Sequence, residues 1–344
     1  IVDHLNRFPS WFAWTTGQGR LWVSAGEGFF IISGLLVGYT RGFKKRHIPM
    51  KEVAKLLYSR AFILYLCAVI SSALLLILTI HSDFPARLQP SVVVPQNSIT
   101  TAIYQILTLQ FVFEWVYFLK LYIASLLIAP LFIWLLRRNQ NIVAFTAAWL
   151  VWFVGYKTKQ DWLQWQVLFF VPSILGYHLE AVQRQWRKLQ KGSRQIIERA
   201  LAGVTVLTVL ISTFWVFGWT YVKRPDALIS FDQYIAIREV IDPYFYKVQL
   251  SPGRILLAFL WFAGLYIIIN RTRHFTAKYT DWLLMPFGSH SLVVYISHGF
   301  ILLPIQVFIP LSYNSTINTI LTAATVLVVW KVSQLTVVRK IIPR

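Results

Sequence analysis

Residues 61–80 read AFILYLCAVISSALLLILTI, an unbroken run with no charged side chain. As a helix rising 1.5 Å per residue it extends about 30 Å, the thickness of bilayer hydrocarbon. Windows of similar character recur near 21–40, 115–136, 142–156, 164–182, 200–222, 255–270, 288–310 and 316–336. The expectation is an all-α, polytopic transmembrane helix bundle of about nine spans, forming a single domain over 1–344. Windows 142–156 and 255–270 are short and need neighbouring residues or local thinning. Residues 101–113 (TAIYQILTLQFVF) are too short to cross before the next window and are expected to lie along or dip into the outer leaflet.

Composition agrees with that reading. The chain is 57% hydrophobic and only 13% charged, about half the charged fraction of a soluble domain. Its 33 Lys+Arg against 13 Asp+Glu give +20, a balance that in a soluble protein points to nucleic acid. Here the excess sorts by loop: 41–60, 137–138, 183–199, 271–278 and 339–344 hold 21 of the 33 basic residues. All five fall on one side if every window spans, so that side is expected to be cytoplasmic. No nucleic-acid partner is then needed. The opposite loops include 81–101, with Pro85, Pro90 and Pro95, and 223–254, with Tyr234, Tyr244, Phe245 and Tyr246. Aromatic and acidic loops of this kind suit either a carbohydrate or an interfacial aromatic belt.

Residues 1–4 read as the end of a further helix that Pro9 prevents from continuing. With it the expected count is ten spans, both termini of the intact protein being cytoplasmic and the first helix largely missing. Cys67 is the only cysteine, so neither a disulfide framework nor a cysteine-based metal site is expected. The chain has no GxxxxGK[ST], HExxH, GxSxG or GxGxxG motif. The expectation is no metal and no permanently bound cofactor.

Charges at bilayer depth are costly unless paired or wet, so they mark candidate sites. Asp3 and His4 end the first helix, Glu27 lies in the second, and Glu114, Lys120, His178, His298 and Lys331 lie in or beside later ones. Counting inward, His4 and Glu27 fall at similar depth, about 8–9 Å from the outer helix ends. A His–carboxylate pair is therefore expected, with Glu27 orienting the ring; Asp3 is a poorer partner because adjacent helical residues diverge. The other use of both residues is local, His4 capping a helix end and Glu27 satisfying a backbone group. The second window is rich in glycine, Gly26, Gly28, Gly34 and Gly38, the last two spaced for close helix approach; exposure of backbone to a ligand near Glu27 is the other use. Ser291, Tyr295 and His298 fall on one polar stripe, which suits a substrate cavity or a helix-packing hydrogen bond. At the basic mouth, Arg60, Arg41 and Lys45 can hold a phosphate-bearing donor or simply set orientation.

Taken in order, these residues resemble the OpgC-like family of bacterial membrane proteins, within the acyltransferase 3 superfamily. The resemblance runs through Asp3-His4-Leu5, Ser24-Ala25-Gly26-Glu27-Gly28-Phe29 with Ser33-Gly34, Arg60-Ala61, Leu121-Tyr122, Trp165-Gln166-Val167-Leu168-Phe169, and Ser291-Leu292 with Tyr295 and His298. It implies an O-acyltransferase of the bacterial cytoplasmic (inner) membrane. Such an enzyme takes an acyl group, succinyl in the family's name, from cytoplasmic acyl-CoA as co-substrate to a hydroxyl of an extracytoplasmic glycan. On that basis His4, Glu27 and Asp3 are the expected catalytic residues. Arg60, Arg41, Lys45, Lys120, Tyr122, Trp165, Gln166, Ser291, Tyr295 and His298 are the expected substrate-binding ones, and the partners are membrane lipid, acyl-CoA and the acceptor glycan. One departure stands out: where the family often has Asp-Ile-Leu-Pro-Leu-Tyr this chain has Tyr117-Phe118-Leu119-Lys120-Leu121-Tyr122, losing an acid and gaining a lysine able to pair with a succinyl carboxylate. A transporter or flippase for a glycan or lipid-linked sugar is the alternative from another class.

Overall fold

The computed structural model describes residues 1–81 and 99–341, and among these all regular structure is helical. Six helices among the described residues are long and apolar enough to cross a membrane: Met50–Leu78, Glu114–Arg137, Lys191–Tyr221, Pro252–Arg271, Ser291–Phe308 and Ser315–Gln334. They coincide with six of the nine expected windows. The other three windows hold helices that are shorter, interrupted or less apolar. Ala25–Val37 has 13 residues and continues as a π-helical turn to Phe43, Asn141–Thr158 has 18, and Val167–Tyr177 has 11 after a break at Gln166. Several expected loops are helical instead: residues 191–199 extend the helix that reaches Tyr221, Arg273–Ser289 is a helix with no buried residue, and Phe231–Ile241 lies inside the 223–254 connection. Polar helix-forming sequence carries no apolar signal, so a hydropathy reading passes over it. The 81–101 loop with Pro85, Pro90 and Pro95 lies almost entirely outside the described residues.

The described residues group into two compact units, interleaved along the chain. The first comprises 1–18, 59–123 and 274–344. Within it Ser291–Phe308 and Ser315–Gln334 form a helical hairpin, and Asn314 caps the second helix by accepting from the amides of Thr316 and Ile317. The amino-terminal segment runs alongside in the same direction as Ser291–Phe308: His4 meets His298, Arg7 meets the carbonyls of Ile305 and Pro310, and Pro9 accepts from Asn318. Residues 101–113 do not span. They belong to the nine-residue helix Ile99–Leu107 and the turn after it, with Ile103 and Tyr104 exposed and Ile106 buried.

The second unit comprises 19–58 and 124–273. Its centre is the packing of Ala25–Val37 and the following π turn against Val167–Tyr177. A Cβ built on Gly34 would lie 1.9 Å from the Phe169 carbonyl oxygen, one on Gly38 2.0 Å from that of Ser173, and one on Gly176 2.1 Å from that of Leu35. The small-residue spacing therefore serves backbone-to-backbone approach. Asn141–Thr158 closes onto this pair through Gln166, whose Nε2 donates to Ala148 O at 2.7 Å, and Gln164, whose Nε2 donates to Gly155 O at 2.9 Å. Lys191–Tyr221 packs on Pro252–Arg271 where Gly264 faces Thr205 and Trp261 Nε1 donates to Thr208 Oγ1 at 2.9 Å.

Gly34→Leu is expected to lower the thermal stability of detergent-solubilised protein sharply. Overpacking commonly costs about 1–3 kcal/mol, and a carbonyl in a helix cannot yield as a side chain does. Gly28→Ala, with nothing within 4 Å of the added Cβ, is the matched control and should be neutral or slightly stabilising.

Candidate functional site

In the first unit the expected stripe resolves into a histidine pair. His4 Nδ1 and His298 Nε2 are 2.8 Å apart, and the two rings lie 5.1 Å apart, centroid to centroid. His298 Nδ1 donates to the Tyr295 carbonyl one turn earlier, and the Tyr295 hydroxyl accepts from the Phe118 amide at 3.3 Å. These partners assign the tautomers. A carbonyl only accepts, so His298 carries its proton on Nδ1 and offers a lone pair at Nε2. His4 must then carry its proton on Nδ1, which leaves its own lone pair on Nε2, the arrangement of a general base. Gln306 Nε2 donates to the His4 carbonyl at 3.0 Å and fixes the turn that carries the ring.

Arg7 secures the same segment. Its guanidinium is buried and donates to the carbonyls of Pro310 at 2.5 Å, Ile305 at 3.0 Å and Ile309, the open end of helix Ser291–Phe308. A cation at a helix C-terminus satisfies orphan carbonyls and complements the dipole, while burial lowers its pKa. Asp3 precedes His4 with a buried Oδ1 that meets no donor among the described residues. Ser291 stands exposed at the start of its helix, whereas Tyr295 is half-buried beside the buried His298. Lys120 is half-buried with its Nζ 5.5 Å from the Tyr117 ring, and Tyr122 and Arg60 are half-buried in the same unit.

Glu27 belongs to the second unit. The helix begins at Ala25, which puts Glu27 in its first turn and not several residues inside a span as the depth count expects. The hydropathy window opens at 21, whereas residues 21–24 are extended or turned. Glu27 Oε2 accepts from the Ser24 amide at 2.9 Å and the Ser24 hydroxyl at 2.6 Å, as the N3 member of a capping box. Its Oε1 accepts from Arg254 Nε at 2.5 Å. Glu27 is 0% and Arg254 2% exposed, so this is a buried ion pair between the first turns of two helices. Arg254 also donates through Nη1 to the carbonyls of Leu21 and Phe245, at 3.2 and 3.3 Å. Sequence reasoning passed over Arg254 by assigning it to the loop 223–254. The signal was available, since a cation directly before an apolar run is the counterpart that a buried glutamate requires.

Close to this pair Trp22 stacks on Phe245, centroids 4.2 Å apart, and leans on Trp215. Trp215 Nε1 donates to Asp242 Oδ1 at 2.7 Å, and Arg238 Nε donates to Asp242 Oδ2 at 3.0 Å. Burial opposes the Arg238 charge, but Asp242 and Tyr234 outweigh it and its pKa lies above the ordinary arginine value. Trp165 and Gln166 are packing residues: the first is buried against Phe30 and lies 3.5 Å from the Cβ that Gly26 lacks, the second bonds the Ala148 carbonyl. Arg41 lies half-buried in the π turn, and Lys45 gives its carbonyl to Arg137. Among the remaining charged candidates, His178 Nε2 bonds Asn141 Oδ1 at 2.9 Å, whereas Glu114 and Lys331 are exposed. No group of three or more His, Cys, Asp or Glu able to hold a metal occurs among the described residues.

A family model for OpgC protein matches residues 1–340, nearly the whole chain. The chain belongs to the OpgC family. Membership in the OpgC family points to a transferase role, and the six long apolar helices make the protein a membrane protein. No curated protein and no solved structure matches at a significant level.

Breaking a buried ion pair from one side leaves the other charge stranded, at a cost of about 3–5 kcal/mol. Glu27→Gln is therefore expected to destabilise the detergent-solubilised protein by that order, read as a drop in unfolding temperature. The double variant Glu27→Gln, Arg254→Met should recover part of the loss.

Proposed function

We propose that the protein is a membrane O-acyltransferase of the bacterial inner membrane that moves an acyl group, succinyl by family, from acyl-CoA to a hydroxyl of an extracytoplasmic glycan. The observation that carries this reading is the His4–His298 pair. An imidazole whose Nδ1–H is held by a second, backbone-anchored imidazole has its Nε2 lone pair fixed in direction, as a general base requires. In this reading the sugar hydroxyl gives its proton to His4 Nε2 and its oxygen attacks the thioester carbonyl carbon. A C–O bond forms as the C–S bond breaks, and the proton passes from His4 to the departing CoA sulfur. The sugar ester and free CoA leave.

Within this scheme His298 is a positioning residue. It accepts from His4 Nδ1–H more strongly once His4 is protonated, which favours the charged form after proton transfer. Glu27 has its oxygens held by Ser24 and Arg254, so we assign it to fixing Arg254 in place of orienting His4. Arg60, Arg41 and Lys45 lie in or beside the basic 41–60 stretch and suit the phosphates of a CoA donor. Lys120 suits the free carboxylate of a succinyl group. Membership of the acyltransferase 3 superfamily and a cytoplasmic location of both termini of the intact protein belong to the same proposal.

Purified protein incubated with radiolabelled succinyl-CoA and a β-glucan acceptor is expected to give labelled glycan. His4→Ala should lower the rate by about 10²–10⁴-fold, the usual worth of a positioned base. His298→Gln, whose carbonyl can still accept from His4, should retain more activity than His298→Ala. Full transfer by a folded His4→Ala protein would refute the assignment, and binding of glycan without transfer would favour the flippase.

A further inference from the structure

The second unit contains a cavity of about 330 Å³ whose lining is polar and aromatic together. Arg20, Arg238, Lys247 and Arg254 line it against a single carboxylate, Asp242. Arg238 is paired with Asp242 and Arg254 with Glu27, so Arg20 and Lys247 carry the surplus positive charge. Two donors are left over. Arg254 Nη2 and Trp22 Nε1 are both buried, and neither meets an acceptor among the described residues. A buried N–H without an acceptor keeps its full desolvation penalty, larger still on a charged group, and native structures hold few of them. Both lie on residues that line the same cavity, and Arg254 is only 2% exposed. Such a pair of donors fits an oxygen-rich acceptor from outside the chain, and the positive surplus selects one that is negatively charged.

The remaining walls are rings. Trp22 packs against both Trp215 and Phe245, and all three rings line the cavity beside the donors. Aromatic surface with a polar rim matches a ligand that has an apolar face and a polar edge, and a pyranose has this character. The volume is at the low end for ligand pockets, the size of one ring with its substituent.

We propose that this cavity is a binding site for an anionic sugar, one pyranose unit carrying a carboxylate or a phosphate ester. The anion accepts from Arg254 Nη2 and Trp22 Nε1 with Arg20 and Lys247 near it, while the ring lies against the tryptophans. Glu27 then has a purpose beyond capping: it fixes the Arg254 side chain through Nε so that Nη2 is presented to the ligand. The inference rests on the chemistry of the cavity and is independent of acyl transfer.

The test is equilibrium dialysis of the full chain in detergent with radiolabelled glucuronate, glucose 6-phosphate, glucose and inorganic phosphate. Both charged sugars are expected to bind at least tenfold more tightly than glucose and than phosphate; the better of the two identifies the anion. Trp22→Phe keeps the ring and removes the N–H, and it should weaken binding about fivefold; Lys247→Ala should do the same. Arg254 is left unaltered, because its loss would strand Glu27. Absence of saturable binding, equal affinity for glucose, equal affinity for bare phosphate, or affinity unchanged in both folded variants would each overturn the proposal.

Discussion

The Glu27–Arg254 ion pair is the interaction on which the second unit depends. Two full charges with almost no solvent contact persist only because each answers the other and nearly every remaining bond is filled: Ser24 takes one carboxylate oxygen, and the Leu21 and Phe245 carbonyls take one guanidinium nitrogen. The pair joins the first turn of Ala25–Val37 to the first turn of Pro252–Arg271, and through Leu21 and Phe245 it reaches the segments that precede both helices. A carboxylate in a first turn also faces the positive end of its own helix dipole. Further along the same helix the geometry is set by glycine instead. Gly34 and Gly38 bring the chain against carbonyls of Val167–Tyr177, so one helix is charge-locked at its start and backbone-locked along its length.

The first unit solves a different problem, that of holding a short segment. Val2–Leu5 is one turn long, far below the length at which a helix stands alone. It is held by side chains at each step: Gln306 on the His4 carbonyl, Arg7 on the last carbonyls of Ser291–Phe308, and Asn318 on Pro9. The result is a histidine carried on a well-fastened turn and met by a second histidine whose own proton is pinned to a backbone carbonyl. That is a rigid placement of a soft chemical group, which acid–base catalysis requires.

Much of this was legible in the residues. Six expected spans coincide with long apolar helices because a 20-residue apolar run has few other destinations. His4 and His298 were marked by the cost of polarity at depth, Tyr295 by the polar stripe it shares with His298, and Gly34 and Gly38 by their spacing. Pairing was less legible. Glu27 was matched with His4 on estimated depth, yet its oxygens are held by Ser24 and by Arg254, 227 residues on. Depth constrains one coordinate of three, and it shifted once the helix began at Ala25. Trp165 and Gln166 came forward through resemblance alone, and their place in the fold is packing between helices.

Sequence by itself determined that this is an all-helical membrane protein, the lopsided distribution of its charge, its family, and the short roster of buried polar residues from which any site must be drawn. These follow from composition, run length and local order, which do not depend on where the chain folds back. The tertiary structure alone decided who meets whom: His4 with His298, Glu27 with Arg254, and two leftover donors on Trp22 and Arg254 in one cavity. Partner choice depends on relative rotation and translation of helices far apart in sequence, and neither periodicity nor hydropathy carries that information.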